Sequence, residues 1–317
     1  MFQKLKNYYI DVIFPLFSEE FYEDIDLKHS SKIHRMKKMW GGLWSNRRLA
    51  VEVLLRKKLI IPYAEIVLTT FCSLRCRDCA NLIQYYTGDH KHAYHTDLGM
   101  NVRSLKRLLL ASDQIKVLSL LGGEPLLYPE LKAMLQFVSE QDKVHRCQIV
   151  TNGTIAKIDD GIIDILSAHS DKFLFVISNY GDKSKHKDEL IELFDMHGIR
   201  YEVRFNDDKW IDYGGVEHRG RDASTLKKQY LRCNSSCRSI LNGKLHQCPR
   251  SSNGMDLGIV PDNPNDYIDL LDDEIEIRII RTRLMDFYRR KEKCITACDY
   301  CDNGVNDEKY VEPGIQV

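Results

Sequence analysis

An α/β architecture built on parallel strands is predicted by three features of the chain. From Ala64 onward, short apolar runs alternate with stretches of helical periodicity, the pattern of strands joined by crossover helices. Successive runs end in Gly122-Gly123-Glu124-Pro125, Thr151-Asn152-Gly153-Thr154 and Asn179-Tyr180-Gly181-Asp182, turns of the kind that gather at one end of a parallel sheet. The length of 317 residues, 43% hydrophobic and 29% charged, is enough to bury a sizeable core. Ligands of such sheets collect beyond the carboxyl ends of the strands, so these turns are expected to ring one site.

Taken in order, the strand candidates are 64–70, 116–121, 146–150, 173–178 and 201–205. Asn101 reads as the N-cap of a helix carrying Val102, Leu105, Leu108 and Leu109 on one face. Pro129 lies near the start of the next helix, whose apolar side is Leu131, Met134, Leu135 and Val138. Residues 161–168 and 186–197 supply two more. Ahead of the first strand, 33–40 and 47–59 are rich in helix formers and are separated by Gly41-Gly42, so residues 1–60 read as a helical extension packed on the core.

Charge and cysteine usage narrow the function. Lysines plus arginines balance aspartates plus glutamates at 46 each, which gives no global field for a nucleic acid. No apolar run approaches the roughly 18 residues of a transmembrane segment. The run from Tyr8 to Phe17 is broken by Asp11 and lacks a small-residue cleavage site, so a cytoplasmic location is expected. In that reducing compartment the ten cysteines read as metal or cluster ligands.

Cys72, Cys76 and Cys79 lie directly behind the first strand. Three thiolates there can hold one face of an iron-sulfur cluster and leave the fourth iron without a protein ligand. A zinc knuckle completed by His90, His92 or His95 is the alternative. The C-x3-C-x2-C spacing, the GGEP turn after the second strand and the TNG turn after a later one together resemble the radical S-adenosylmethionine (SAM) enzymes. That resemblance implies a partial (β/α)6 TIM-like barrel over about 61–230, a catalytic 4Fe-4S cluster on Cys72, Cys76 and Cys79, and SAM chelated to its open iron. It also implies that one electron, delivered by a flavodoxin- or ferredoxin-type donor, cleaves SAM to a 5'-deoxyadenosyl radical that abstracts a substrate hydrogen atom. Gly122, Gly123 and Glu124 would hold the cofactor's amino group, Ser178 its ribose and Arg204 its carboxylate. One departure stands out: Asp78 occupies the position where relatives carry an aromatic residue against adenine, and Tyr85 or Tyr86 would have to replace it.

A second group of cysteines follows. Asn242-Gly243 predicts a hairpin with strands at 238–241 and 244–247, which puts Cys237 directly opposite Cys248, while Cys298 and Cys301 form a C-x2-C pair. The layout resembles the Twitch and SPASM auxiliary-cluster appendages and implies a second 4Fe-4S cluster in a domain spanning 231–317, with Cys248, Cys298 and Cys301 as ligands. The family pattern selects Cys233 as the fourth ligand and the hairpin register selects Cys237. A zinc ribbon is the rival for this appendage. Cys147 reads as a buried core thiol and Cys294 has no assignment.

The expected function is therefore a radical SAM enzyme that oxidises, or alternatively epimerises, a small molecule such as a sugar or nucleotide-sugar. Arg219, Arg238 and Arg250 are candidates to neutralise a phosphate on it. A peptide- or protein-modifying enzyme is the competing reading, and a nonenzymatic zinc-binding module is the alternative from another class.

Overall fold

The computed structural model describes residues 58–205, 209–233, 235, 237–288, 294–305 and 309–317. The helices expected at 33–40 and 47–59 fall outside these residues apart from positions 58 and 59. Five parallel strands follow in sequence: β1 (Ile60–Thr69), β2 (Gln114–Gly122), β3 (Val144–Thr151), β4 (Phe173–Asn179) and β5 (Tyr201–Phe205), each paired with the one before it. All ten residues of β1 are buried, as expected of a central strand covered on both faces.

The crossovers are α1 (Leu98–Ala111), α2 (Leu131–Ser139), α3 (Asp160–Ala168) and α4 (Lys187–His197). Their apolar stripes are those read from the sequence. Leu105 and Leu108 of α1, and Met134, Leu135 and Val138 of α2, are fully buried in one core with the strands. Each such side chain contributes about 1.5–3 kcal/mol of apolar burial. The cap of α1 is a correction: Asp97, not Asn101, stands at the N-cap and accepts from the Met100 amide at 2.8 Å. Asn101 lies inside the helix, where its amide donates to the Thr96 hydroxyl at 2.7 Å. Asp97 competes better because it falls one residue before the first helical position.

After β5 come the short β6 (Trp210–Ile211) and α5 (Ala223–Arg232), then the expected hairpin, formed by β7 (Ser239–Leu241) and β8 (Lys244–His246). Asn242 and Gly243 take φ values of 49° and 81°, the left-handed pair that a two-residue hairpin turn requires. The hairpin is part of the core sheet. β7 pairs parallel to β1 on the edge opposite β2, with Glu65 against Ser239 and Ile66 against Ile240. The sheet therefore runs β5-β4-β3-β2-β1-β7-β8, with β9 (Tyr267–Asp269) closing it, and the boundary expected near residue 230 is not a break in it. Beyond β8 lie α6 (Pro249–Asp256) and α7 (Ile277–Tyr288), and β10 (Tyr310–Val311) pairs antiparallel to β6. Among the described residues, no helix is long and apolar enough to cross a membrane.

Candidate functional site

The loop after β1 is fixed by main-chain bonds to the end of β2. The Gly123 amide donates to the Thr69 carbonyl at 2.8 Å and the Glu124 amide to the Phe71 carbonyl at 2.8 Å. Both glycines are demanded by this approach: a Cβ on Gly122 would strike the Thr69 carbonyl, and one on Gly123 would strike the Phe71 carbonyl and Cys72 Cβ. Their lack of a side chain thus seats the cysteine loop.

Burial pushes the Cys72 thiol up to about 12, and it raises Cys76 and Cys79 as well. The three are near enough to disfavour each other's thiolates, since Cys72 senses both Cys79 and Cys76. Opposing this, donors aim at the sulfurs. Leu74 N reaches Cys72 Sγ at 3.4 Å, Asn152 Nδ2 reaches it at 3.6 Å, and Gln316 Nε2 reaches Cys76 Sγ at 3.3 Å. Buried thiols with donors pointed at them suit a bound cationic centre that would hold them as thiolates.

Glu124 is fully buried and braces the site internally. Its carboxylate accepts from the Asn152 amide at 2.8 Å, the Thr151 hydroxyl at 2.9 Å and the Leu126 amide at 3.1 Å, tying the end of β2 to the turn after β3. Burial raises its pKa to about 7 despite these donors. Ser178 and Arg204 are register partners at the ends of β4 and β5. The Ser178 side chain hydrogen-bonds Tyr180, a ring that lies near all three loop cysteines, and Arg204 pairs with Glu202 at 3.2 Å. Asp78 pairs with Arg77 at 3.0 Å. Tyr86 is a correction to the adenine expectation: it is buried, and its hydroxyl donates to Asp256 at 3.0 Å and Asn253 at 3.2 Å.

The second group of cysteines surrounds a cavity of ≈ 200 Å³ between β1 and α6, lined by Cys233, Cys237, Cys248, Cys298 and Cys301. Cys248 stands at the N-cap of α6, Cys298 lies within a short 3-10 turn, Thr296–Tyr300, and Cys301 caps its end. Side chains from elsewhere hold the carbonyls of that turn. Gln229 Nε2 donates to the carbonyls of Cys298 at 2.8 Å and Cys301 at 2.6 Å, and Arg221 donates to the Cys301 carbonyl at 2.8 Å. Cys298 lies close enough to sense Cys248, Cys233 and Cys301, and Cys248 senses Cys233 and Cys301. Cys237 lines the same cavity beside Glu65 and Cys248. Burial pushes Cys248 up to about 12 and Cys237 well above the usual thiol range. Among the described residues, no three His, Cys, Asp or Glu side chains converge tightly enough to hold a single metal ion.

The three arginines expected to meet a phosphate are engaged within the protein. Arg250 is buried and donates to the carbonyls of Gly215 at 2.6 Å and Tyr300 at 3.1 Å, Arg238 donates to the Gln247 carbonyl at 2.9 Å, and Arg219 pairs with Asp302 at 3.3 Å. Cys147 is fully buried in the core.

Two residues at these sites carried no assignment from the sequence. Glu65, 2% exposed, lines the cavity with Oε1 lacking a partner, while Tyr63 donates to its Oε2 at 3.4 Å; burial lifts it to about 7. An acid between Ala64 and Ile66 in an apolar strand was its available signal. Gln316 had none, lying 240 residues from Cys76.

Residues 66–191 match the family model described as the radical SAM superfamily. A GTP 3',8-cyclase of Syntrophomonas wolfei subsp. wolfei is 26% identical over 171 residues, 48% of this chain and 50% of that protein, so the chain spans about half the length of this curated relative. Among solved structures, BtrN in complex with AdoMet and 2-DOIA is similar at a TM-score of 0.47 and 18% identity over 81% of this chain and 98% of that one. Native anSMEcpe with bound AdoMet is similar at 0.47 and 14% over 80% and 93%. Streptococcus suis SuiB bound to precursor peptide SuiA is similar at 0.36 and 20% over 52% and 37%.

Proposed function

We propose that this chain, which carries a radical SAM superfamily domain over residues 66–191, is a radical SAM enzyme that dehydrogenates a small molecule using two iron-sulfur clusters. The observation that carries the reading is the presence of two cysteine groups. One lies on the loop leaving β1, and the other lines a cavity whose wall includes Glu65 of the same strand. When bound, a 4Fe-4S cluster and SAM supply the 5'-deoxyadenosyl radical that removes a hydrogen atom from the substrate.

Cys72, Cys76 and Cys79 would hold that cluster, with Gly122, Gly123 and Glu124 shaping the loop around it and Ser178 and Arg204 facing the cofactor. Cys233, Cys248, Cys298 and Cys301 would hold the second cluster. The mutual proximity of these four favours Cys233 over Cys237 as the fourth ligand. Zinc would draw four thiolates to within roughly 4 Å of one another through bonds of about 2.3 Å. A cuboidal cluster instead takes its thiolates on separate corner irons, and it is the group proposed in both places. A closed four-cysteine cluster beside the cavity is suited to accept the substrate's second electron, which supports net oxidation, a carbinol to a ketone, ahead of epimerisation. A sugar-sized small molecule is the proposed substrate, and a peptide is the competing class. A flavodoxin- or ferredoxin-type protein would donate the first electron.

The test is anaerobic reconstitution followed by iron, sulfide and 5'-deoxyadenosine assays. About eight irons per chain and dithionite-dependent 5'-deoxyadenosine are expected. A colourless protein holding zinc would overturn the reading. Mass analysis of amino- and hydroxy-sugars and of peptides after turnover, scored for the loss of two hydrogens, separates the substrate classes.

A further inference from the structure

Segment 309–317 returns to the cysteine loop and pairs with it. The Arg77 amide donates to the Ile315 carbonyl at 2.7 Å and the Val317 amide to the Arg75 carbonyl at 2.9 Å, with an antiparallel bridge between Cys76 and Gln316. Gly314 lies against the Tyr180 ring, and that tyrosine is near the three cysteines. The loop thus gains a short extra strand from a distant part of the chain.

The Gln316 side chain completes this pairing with every polar group used. Oε1 accepts from the Arg75 amide at 2.6 Å, and Nε2 donates to the Gly314 carbonyl at 2.7 Å and to Cys76 Sγ at 3.3 Å. The partners fix which atom is which, because a flipped amide would set its NH2 against the Arg75 N–H and its oxygen against a carbonyl and a sulfur.

We infer that Gln316 is a positioning residue for Cys76: its N–H···S hydrogen bond holds the thiolate in place and raises the reduction potential of the cluster bound there. The inference rests on the proposed cluster at Cys72, Cys76 and Cys79. Its physical basis is general. A donor directed at a ligating sulfur stabilises the more negative, reduced state, and the partners behind metal ligands set both affinity and potential. Gln316 lies at the surface of the loop, so its replacement removes this bond without opening the core.

The experiment uses the full-length, anaerobically reconstituted protein in a Cys248→Ala background, in which the second site is disabled and one cluster is read. Midpoint potential is followed by EPR-monitored redox titration, and iron release is timed under a ferrous chelator. Gln316→Ala is expected to lower the potential and to speed iron release roughly 10-fold or more, the scale at which such supporting partners act. Gln316→Glu, which replaces the donor with an anion, should lower the potential further. Potential and release rate equal to those with Gln316 intact would overturn the inference. Adding Cys72→Ala, Cys76→Ala and Cys79→Ala to the background separates its failure from that of the cluster assignment, because a cluster surviving those changes would not be on this loop at all.

Discussion

The two cysteine sites are built in opposite ways. The first takes its three thiols from eight consecutive residues, and its shape is secured by main-chain bonds between the ends of β1 and β2. The second brings cysteines from separate elements around one cavity, and the turn bearing Cys298 and Cys301 is held by side chains from elsewhere in the chain, among them Gln229, Arg221 and Arg250. The order of the three thiols in the first is set by neighbours in sequence, with Asn152 and Gln316 reaching in to their sulfurs. A dispersed site is only as ordered as the contacts that assemble it.

The largest effect should come from the local site. Replacing Cys72, Cys76 and Cys79 together with alanine is expected to abolish 5'-deoxyadenosine formation while leaving about four irons per chain, the content of one cuboidal cluster. Chromatography of nucleoside products and iron analysis check both halves. Gly123→Val should remove iron from the same site, because its side chain would collide with Phe71 and Cys72; equilibrium SAM binding alone would not reveal this.

Next in size is the dispersed site. In the triple-alanine background, Cys248→Ala and Cys233→Ala should each remove the remaining iron, whereas Cys237→Ala and Cys294→Ala should leave it. Equal loss with Cys237→Ala would return the fourth ligand to the position that hairpin register alone selects.

Gln229→Ala is expected to act on one site only. It removes two of the donors that hold the carbonyls of Cys298 and Cys301, leaving those from Arg221, so second-site iron should become more labile to a chelator while the first site keeps its iron. Parallel loss from both sites would mean that the two are not independently assembled.

The smallest expected effect concerns pH. Glu124 and Glu65 are each raised by burial to about 7 in the folded chain, so between the ordinary carboxylate range and pH 7 the folded state binds more protons than the unfolded one. Their contribution is fully present below the unfolded pKa and is lost as pH rises through about 7. Denaturant midpoints of the cluster-free protein should therefore fall over that interval, and Glu124→Gln should flatten the fall.

What was legible in the sequence follows the same division. The strands, the apolar stripes of α1 and α2, the Asn242-Gly243 hairpin and the cysteine loop are written in local spacing, and the structure bears them out. Where a role depends on a distant partner, spacing was silent or misleading. Asp97 took the cap expected of Asn101, the three arginines turned to the protein's own carbonyls and carboxylates, and the pairing of segment 309–317 with residues 75–77 left no pattern in either stretch. Hairpin register points to Cys237 opposite Cys248, while Cys298 also lies near Cys233 at the end of α5, a proximity that nothing in the hairpin encodes.

The pairing of β7 with β1 makes the sheet a ruler. Glu65, level with Ser239 beside the second site, and Thr69, where the first loop departs, are four residues apart on one buried strand, about 13 Å at the ordinary rise of a parallel strand. The separation of these two points along β1 is thus graduated in whole residues and is held by hydrogen bonds on both edges of the strand. A slip of one residue between β1 and its neighbours would not merely lengthen it. Because side chains alternate across the sheet, the same slip would rotate Glu65 out of the cavity, so spacing and chemistry are calibrated by a single register.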